Sequence, residues 1–376
     1  MRVKLKDIFD LQMGKTPSRS NLEYWNTTDY KWISIADLTK TSKYIFETKE
    51  YLSKSAIKDS GIKVIPANTV VMSFKLSIGK TAITKEDMYS NEAIMAFKDK
   101  HVINIIPEYI FYLFKYKNWE ECSNKAVMGK TLNKATLSEI EVEICSIEKQ
   151  RQIVNILDKI MSAVDGRKQE LQLLDELIKA RFVEMFGDPV KNPKGWEVVT
   201  IGDIVTEVRY GTSKPAVEGG KYPYLRMNNL TADGHLDLND LKYIDIPDDE
   251  IEKCVVRKGD VLFNRTNSIE LVGKTVVFDL QEDMIIAGYI IRVRLNKRLL
   301  PEILSQYMNL EALKDILRSM AKGAVNQANI NAQELQSIKV YIPDMELQKQ
   351  FIEMKNQVDK SKVAVQKALD ETQILF

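Results

Sequence analysis

Hydrophobic residues follow two different periods along this chain. Short apolar or alternating segments, such as VVMSFK in the first half and IIAGYIIRVRLN in the second, lie near turn residues and are typical of β-strands. In each half a short helix follows and begins near Pro107 or Pro301, because proline is tolerated in the first turn of a helix. A polar loop with glycine (129–133 or 323–329) and a short strand come next. The pattern predicts two β-rich domains that also contain helices.

The second period is that of a coiled coil. From Glu148 to Phe186 the chain has no proline, and apolar residues recur mostly at alternating spacings of four and three. This predicts one long helix of roughly 55–60 Å. A similar heptad pattern begins after Glu346. We expect the two helices to pack on each other, and packing of each seam on its own domain or on a second chain is the alternative. The seam residues expected at this interface are Ile153, Leu157, Ile160, Leu171, Leu174, Ile178, Val358 and Val365.

The two halves of the chain are similar to each other. SIGKTAI matches LVGKTVV, with an offset of 194 between Gly79 and Gly273, and TLNKATLSEIEVEICSIEKQRQI matches NINAQELQSIKVYIPDMELQKQF, with an offset of 198 between Gln150 and Gln348. A period this long excludes a solenoid and indicates a duplicated domain. The copies agree at apolar and glycine positions and differ elsewhere. This suggests one scaffold with two different surfaces, and drift after duplication is the other explanation.

Composition narrows the class of protein. The 376 residues are 44% hydrophobic with a formal net charge of +1, so the sequence predicts a globular, two-domain chain and not a polycationic binder. Three cysteines without zinc spacing, and a charged amino-terminal stretch without an apolar segment, predict a reduced, cytoplasmic protein. The sequence contains no run of about 18 apolar residues, so no membrane span is expected.

The sequence lacks recognisable catalytic motifs. Gly-Lys-Thr occurs at Gly14, Gly79, Gly129 and Gly273, but none of the four has the earlier glycine that a phosphate-binding P-loop needs. Asn192-Pro193-Lys194-Gly195 superficially resembles the Asn-Pro-Pro-aromatic motif of amino-methyltransferases, without its second proline or its aromatic residue. Neither histidine has a motif around it. We therefore expect a recognition protein that is not an enzyme and holds no metal.

An ordered set of segments resembles the specificity subunits of type I restriction-modification systems. The start of that family's first spacer helix resembles IEKQRQIVNILDKI, and the junction after this helix resembles ARFVEMFGDPVKNPKGWEVVTIGDI. The centre of a target-recognition domain resembles GDVLFNRTNSIELVGKTVV, and the end of such a domain resembles IPDMELQKQ. The resemblance covers essentially the whole chain. It implies target-recognition domain 1 at 1–146, spacer helix 1 at 147–186, target-recognition domain 2 at 187–345 and a shorter spacer helix 2 at 346–376.

This resemblance implies both a fold and a role. The fold would be α+β, with two mixed, β-rich target-recognition domains in a pseudo-twofold arrangement, separated by two long helices packed as an antiparallel coiled coil. Each domain would read one half of a bipartite, asymmetric site in double-stranded DNA, and the helices would set the spacer and dock two methyltransferase (modification) subunits. S-adenosylmethionine and ATP with Mg²⁺ would belong to those subunits and to restriction/translocase partners, and this chain would hold no cofactor.

Candidate base contacts follow from the chemistry of the DNA grooves. Lysine or arginine pairs with guanine, and asparagine or glutamine with adenine, at about 1–3 kcal/mol each. Such residues lie beside the Gly-Lys-Thr turns, where Lys75 and Arg265 are expected to be equivalent, and on the glycine loops. Tyr210, Tyr222 and Tyr224 are further candidates for stacking, although tyrosine at strand spacing more often packs in a core. For each single residue the alternative is a solvated side chain or a turn hydrogen bond. The expected DNA contacts are Lys75, Ser77, Lys80, Lys130, Asn133, Asn264, Arg265, Asn267, Lys274, Asn326 and Gln327.

Charge is divided unevenly between the copies. Residues 1–146 carry 22 basic and 18 acidic residues, net +4, whereas residues 187–345 carry 20 and 23, net −3. Because phosphate neutralisation supplies most nonspecific DNA affinity, the second domain should bind DNA poorly alone, and partner subunits should supply much of the backbone contact. The weak net charge also supports a rival interpretation, a protein–protein scaffold with two β-rich modules on a coiled coil.

Overall fold

The computed structural model of the chain describes residues 1–75, 77–119, 132–324 and 327–374, with only the backbone at 322–324 and 327. Lys130 and Asn326, two of the predicted DNA contacts, lie outside the described residues. The chain divides into two compact units: residues 1–165 with 372–376 form unit 1, and residues 166–371 form unit 2. Within the described part, no helix is long and apolar enough to span a membrane.

The described residues of unit 1 form three sheets and several short helices. Five strands pair in the order β2-β9-β6-β7-β4 and three in the order β5-β3-β8, and β1 pairs with β10. The strands are β1 (Arg2–Lys4), β2 (Phe9–Met13), β3 (Tyr30–Ile33), β4 (Tyr44–Ile45), β5 (Glu50–Leu52), β6 (Val70–Ser73), β7 (Thr81–Thr84), β8 (Tyr89–Ser90), β9 (Ile94–Asp99) and β10 (Glu141–Glu143). The helices are α1 (Leu5–Ile8), α2 (Ile35–Lys40), α3 (Lys54–Ser60), α4 (Pro107–Lys115), α5 (Lys134–Glu139) and the first half of α6 (Ile147–Phe186).

The five-stranded sheet of unit 1 is covered on both faces. Val70 and Met72 of β6 lie in one hydrophobic cluster, and Val71 between them lies in another. Successive side chains of a strand point to opposite faces, so a strand covered on both sides is continuously apolar. Ile153 and Leu157 of α6 pack on the first cluster. These two seam residues therefore contribute to the core of unit 1.

Unit 2 repeats this design with additions. Its sheets have the orders β12-β20-β16-β18, β14-β13-β19-β15, β17-β22-β21 and β11-β23. The strands are β11 (Glu197–Thr200), β12 (Val205–Tyr210), β13 (Tyr222–Leu225), β14 (Lys242–Ile244), β15 (Val255–Val256), β16 (Val261–Asn264), β17 (Thr266–Asn267), β18 (Thr275–Val277), β19 (Met284–Ile286), β20 (Ile290–Leu295), β21 (Lys322–Ala324), β22 (Gln327–Asn329) and β23 (Lys339–Ile342). The helices are α7 (Asp248–Cys254), α8 (Pro301–Met308), α9 (Glu311–Met320), α10 (Ala332–Ser337) and α11 (Met345–Gln373). The segment expected as a polar loop at 323–329 thus lies largely in the paired strands β21 and β22.

The two long helices run antiparallel within unit 2. The rings of Phe182 in α6 and Phe351 in α11 pack edge to face, with centroids 5.2 Å apart. Near the other end of this contact, Arg167 donates a hydrogen bond to the carbonyl oxygen of Ala368 at 2.8 Å. Positions rise along one helix as they fall along the other, so the expected intramolecular pair of antiparallel helices is present.

Burial along the pair agrees with part of the predicted seam. Ile178 and Val358 are buried in the core of unit 2, in the cluster that also contains Phe182 of α6 and Phe351 of α11, so they pack within the chain. Leu174 packs on the same core. Phe182, which the heptad pattern did not include, is fully buried. Three other predicted seam residues remain half-buried: Ile160, Leu171 and Val365.

A buried glutamine near the start of each long helix confirms the internal repeat. The side-chain carbonyl of Gln150 accepts from the Ile106 N–H at 2.9 Å, and its amide donates to the carbonyls of Asn104 and Cys145 at 3.1 and 3.0 Å. Gln348 makes the same three kinds of bond, to Leu300, Arg298 and Pro343. The offset of 198 found in the sequence therefore corresponds to a shared way of anchoring each long helix to the loop before α4 or α8.

Candidate nucleic-acid interface

The two central Gly-Lys-Thr turns have the same backbone structure. The Gly79 N–H donates to the Ser73 carbonyl at 2.9 Å, and the Gly273 N–H donates to the Asn264 carbonyl at 2.9 Å. Both glycines have positive φ, +90° and +79°, a conformation that glycine adopts at little cost. The enclosed loop has five residues in unit 1 (74–78) and eight in unit 2 (265–272). One scaffold thus carries two loops that differ in length and chemistry.

Lys75 and Arg265 are not equivalent residues, although their loops coincide. The Arg265 N–H donates to the carbonyl of Tyr289, and the Phe74 N–H donates to that of Ala93, each at 2.9 Å. Phe74 therefore stands where unit 2 has Arg265. Lys75 is the next residue, half-buried, with its ammonium 5.4 Å from the centroid of the Phe74 ring. The predicted correspondence is wrong by one position, because the loops differ in length and the sequence does not show where the difference falls.

Two of the predicted base contacts are structural residues. Asn264 is fully buried, donates to two backbone carbonyls at 3.3 Å and accepts from the Asn267 amide at 2.9 Å. Lys274 is only 7% exposed and donates to the Met227 carbonyl at 2.8 Å, and burial lowers its pKa. Neither side chain can reach a nucleic acid from these positions. The assignments of Asn264 and Lys274 to base contact are therefore wrong, because the Asn264 amide is bonded within the turn and to Tyr289, and the Lys274 ammonium is bonded to Met227.

Arg265 has a different environment. It is half-buried, and its guanidinium carbon lies 4.9 Å from the centroid of the Tyr210 ring. Nη1 makes one long hydrogen bond, 3.4 Å, to the Gly288 carbonyl, and the buried Nε has no partner among the described residues. The Tyr210 hydroxyl in turn accepts from the Ala332 N–H at 2.8 Å. A guanidinium stacked on an anchored ring keeps its donors in a fixed plane, which suits a bidentate acceptor.

Arg265 also differs from its neighbours because, among the described residues, no acidic side chain neutralises its charge. Among the described residues, it is the one arginine between 187 and 344 with no carboxylate oxygen within 4.0 Å. The other arginines there are paired with acidic side chains and so have little capacity left for a ligand. These paired residues are Arg209, Arg226, Arg257, Arg292, Arg294, Arg298 and Arg318.

Two exposed tyrosines lie close to Arg265. Tyr210 is 43% exposed and Tyr289 is 51% exposed, whereas Tyr224 is buried and donates to the carbonyls of two loop residues. Tyr210 is followed by Gly211, where a Cβ atom would lie 2.2 Å from the carbonyl oxygen of Ile286. Sequence reasoning missed Tyr289 and did not separate Tyr210 from Tyr224. For Tyr210 the sequence did contain a signal, because this aromatic residue directly precedes Gly211, where no side chain fits.

The remaining predicted contacts have mixed environments. Ser77 and Lys80 are exposed. Asn133 is exposed but caps α5, since its side-chain oxygen accepts from the Thr136 N–H at 2.8 Å. Asn267 is half-buried and donates to Asn264. Only the backbone of Gln327 is described, in β22. Ser77 and Lys80 therefore remain the candidates with the most accessible side chains.

The chain belongs to the family described as type I restriction modification DNA specificity domain. The family model matches it twice, at residues 1–176 and 193–372, and so covers both copies of the duplicated domain. Among curated relatives, the chain is 30% identical over 250 residues to the type I restriction enzyme MjaIX specificity subunit of Methanocaldococcus jannaschii and 25% identical over 253 residues to the EcoKI specificity subunit of Escherichia coli K12. These matches cover 60% and 63% of this chain and 57% and 54% of those proteins.

Solved structures share the fold. A chain from a structure of a type I R-M system, concerned with its assembly and conformational transition, superposes with a TM-score of 0.62 at 18% identity and covers 100% of this chain and 95% of that one. The S subunit of a type I restriction-modification system from M. genitalium gives 0.52 at 13% identity, with coverage of 100% and 93%. Likeness at this level of identity concerns architecture alone.

Proposed function

We propose that this chain is the DNA-recognition subunit of a type I restriction-modification complex. Each of its two recognition domains reads one half of a bipartite, asymmetric sequence in double-stranded DNA. The two long helices set the spacing of the half-sequences and dock two methyltransferase subunits. The chain is not catalytic by itself, and it acts in the cytoplasm, where the DNA is.

The observation that carries this proposal is the pair of loops at the two Gly-Lys-Thr turns. The backbone bonds of the turns match, but the side chains differ: unit 1 has the buried Phe74 followed by the half-buried Lys75, and unit 2 has the half-buried Arg265 beside Tyr210. A duplicated scaffold with different loops suits a site whose two halves differ in sequence. Membership in a family described as a DNA specificity domain points to the same kind of ligand.

Cofactors are assigned to partner subunits in this proposal. S-adenosylmethionine would be bound by the methyltransferase subunits that modify adenine, and ATP with Mg²⁺ by restriction/translocase subunits. The four Gly-Lys-Thr sequences of this chain lack P-loop spacing, which supports this assignment.

The decisive experiment compares methylomes. A host without the system receives the modification subunits alone or together with this chain, and genomic methylation is sequenced. We expect one bipartite motif to become methylated only when the chain is present, and we expect the purified chain to show neither ATP hydrolysis nor methyl transfer. A stable complex that neither binds DNA in a gel-shift assay nor directs methylation would support the protein–protein scaffold instead.

A further inference from the structure

A lysine-rich groove lies along the outer edge of the five-stranded sheet in unit 1. Strand β2 is the last strand of that sheet, and among the described strands it pairs with β9 alone. The groove beside it has a volume of about 790 Å³ and is lined by six lysines but only two acidic residues, Asp10 and Glu92. We call this the β2 groove. Its lysines are Lys6, Lys15, Lys63, Lys98, Lys100 and Lys134.

Several of these lysines have no counter-charge. Among the described residues, Lys15, Lys63, Lys98 and Lys134 have no carboxylate oxygen within 4.0 Å. Lys6 by contrast is paired with a glutamate outside the groove lining. Unpaired ammonium groups that line a concave surface produce a positive field that attracts a polyanion.

The position of the groove is fixed by the fold. The buried side chain of Gln12 in β2 donates to the carbonyls of Lys63 and Val64 at 3.0 and 3.1 Å, which ties that segment to the edge strand. At one end the groove is lined by Gly14 and Lys15, and the Lys15 N–H donates to the Ser90 carbonyl at 2.8 Å. The corresponding segment of unit 2, Gly211 and Thr212, directly follows Tyr210. The groove thus begins at the same end of the scaffold as the candidate base contacts.

Unit 2 has no matching set of charges. Corresponding backbone bonds and strand registers place Thr212 where unit 1 has Lys15, and Ala332 where it has Lys134. Lys98 corresponds to Arg294, which is bound to the carboxylates of Glu207 and Asp260 at 2.8 Å. The groove is therefore a property of the first copy and not of the shared scaffold.

We propose that the β2 groove of unit 1 binds the phosphate backbone of double-stranded DNA. This rests on the proposed function and assigns different roles to the two units. Unit 1 binds the DNA phosphate backbone through its own lysines, whereas the acidic unit 2 depends on partner subunits for that contact. Lysine is a compact point charge on a flexible stem, which suits contact with phosphate, and contacts with phosphate carry no direct sequence information. The groove contributes affinity without sequence preference.

The test replaces Lys63, Lys98 and Lys134 by glutamine in the full chain. A matched control carries Lys40→Gln, Lys49→Gln and Lys54→Gln, three exposed lysines of unit 1 outside the groove lining. Binding to a labelled duplex of scrambled sequence is titrated across salt concentrations. We expect the slope of log K against log salt to shrink by about 0.9 for each phosphate that is no longer neutralised, and affinity at about 0.1 M salt to fall at least tenfold. The control should change neither quantity by a comparable amount.

The outcomes separate this proposal from the function it rests on. If the groove variant binds scrambled DNA with the wild-type slope and affinity, the groove does not bind the phosphate backbone and the proposal is wrong. The lysines would then protect an open strand edge against aggregation. Loss of assembly with methyltransferase subunits, with DNA binding intact, would overturn it in favour of an acidic protein partner. If the wild-type chain directs methylation to a defined motif, the proposed function stands in either case.

Discussion

At the scale of single residues, we propose Arg265 as the base-reading side chain of unit 2. It has a stacked guanidinium, an unpaired Nε and no carboxylate within reach among the described residues. A bidentate pair with guanine discriminates against other bases by about 1–3 kcal/mol. We expect Arg265→Ala to weaken specific binding by that amount and to relax the sequence requirement in one half of the site only. Gel shifts with duplexes mutated in either half measure both effects.

Two further variants test whether the effect of Arg265→Ala comes from base reading. Arg265→Lys keeps the charge but not the planar pair of donors, so it should recover nonspecific affinity without discrimination. Arg298→Ala is the matched control, because Arg298 is bound to Glu197 at 2.5 Å on the surface. Equal relaxation of both halves by Arg265→Ala, or no relaxation, would contradict base reading by this residue.

At the scale of elements, each long helix is tied to its domain by one buried glutamine. Gln150→Ala would leave the Ile106 N–H and two carbonyls without their partner, and an unsatisfied buried group costs about 1–3 kcal/mol. We expect Gln150→Ala and Gln348→Ala each to lower the free energy of unfolding by about 2 kcal/mol or more. Chemical denaturation of the full chain measures the change.

The same helices supply the controls. Gln152 and Gln350 lie two residues further along and are exposed, so their replacement by alanine should change stability by less than about 0.5 kcal/mol. If the exposed and the buried glutamines behaved alike, the anchoring bonds would not contribute as proposed.

At the scale of the whole molecule, the proposed ruler role of α6 makes a prediction about DNA. Seven residues inserted near Gly166 preserve the heptad phase and lengthen the helix by roughly 10 Å. Because DNA rises about 3.4 Å per base pair, the nonspecific spacer should grow by up to about three base pairs while both half-sequences stay the same. Methylome sequencing of the variant decides this. An active variant with the original spacer, or with altered half-sequences, would exclude the helix as the ruler.

The periodic features of this protein were readable from the sequence alone. The duplication appears as constant offsets such as Gln150 to Gln348, and the long helices appear as heptads, because both depend on residue order along one element. The strand around Val71 also appears in the sequence, as the apolar run VVMS, although its burial on both faces was seen only in the structure. These features are local or repeated, so a single sequence contains them.

Only the tertiary structure decided which polar residues face solvent. Asn264 and Lys274 are residue types that could contact a base, yet both are buried and donate hydrogen bonds to the carbonyls of remote residues, Tyr289 and Met227. Arg265 stands out only when the carboxylate partners of the other arginines are known, and some of these, such as Glu207 beside Arg292 and Arg294, lie far away in the sequence. The β2 groove likewise collects lysines as far apart in sequence as Lys6 and Lys134. Pairing and burial depend on contacts between remote segments, which order along the chain does not specify.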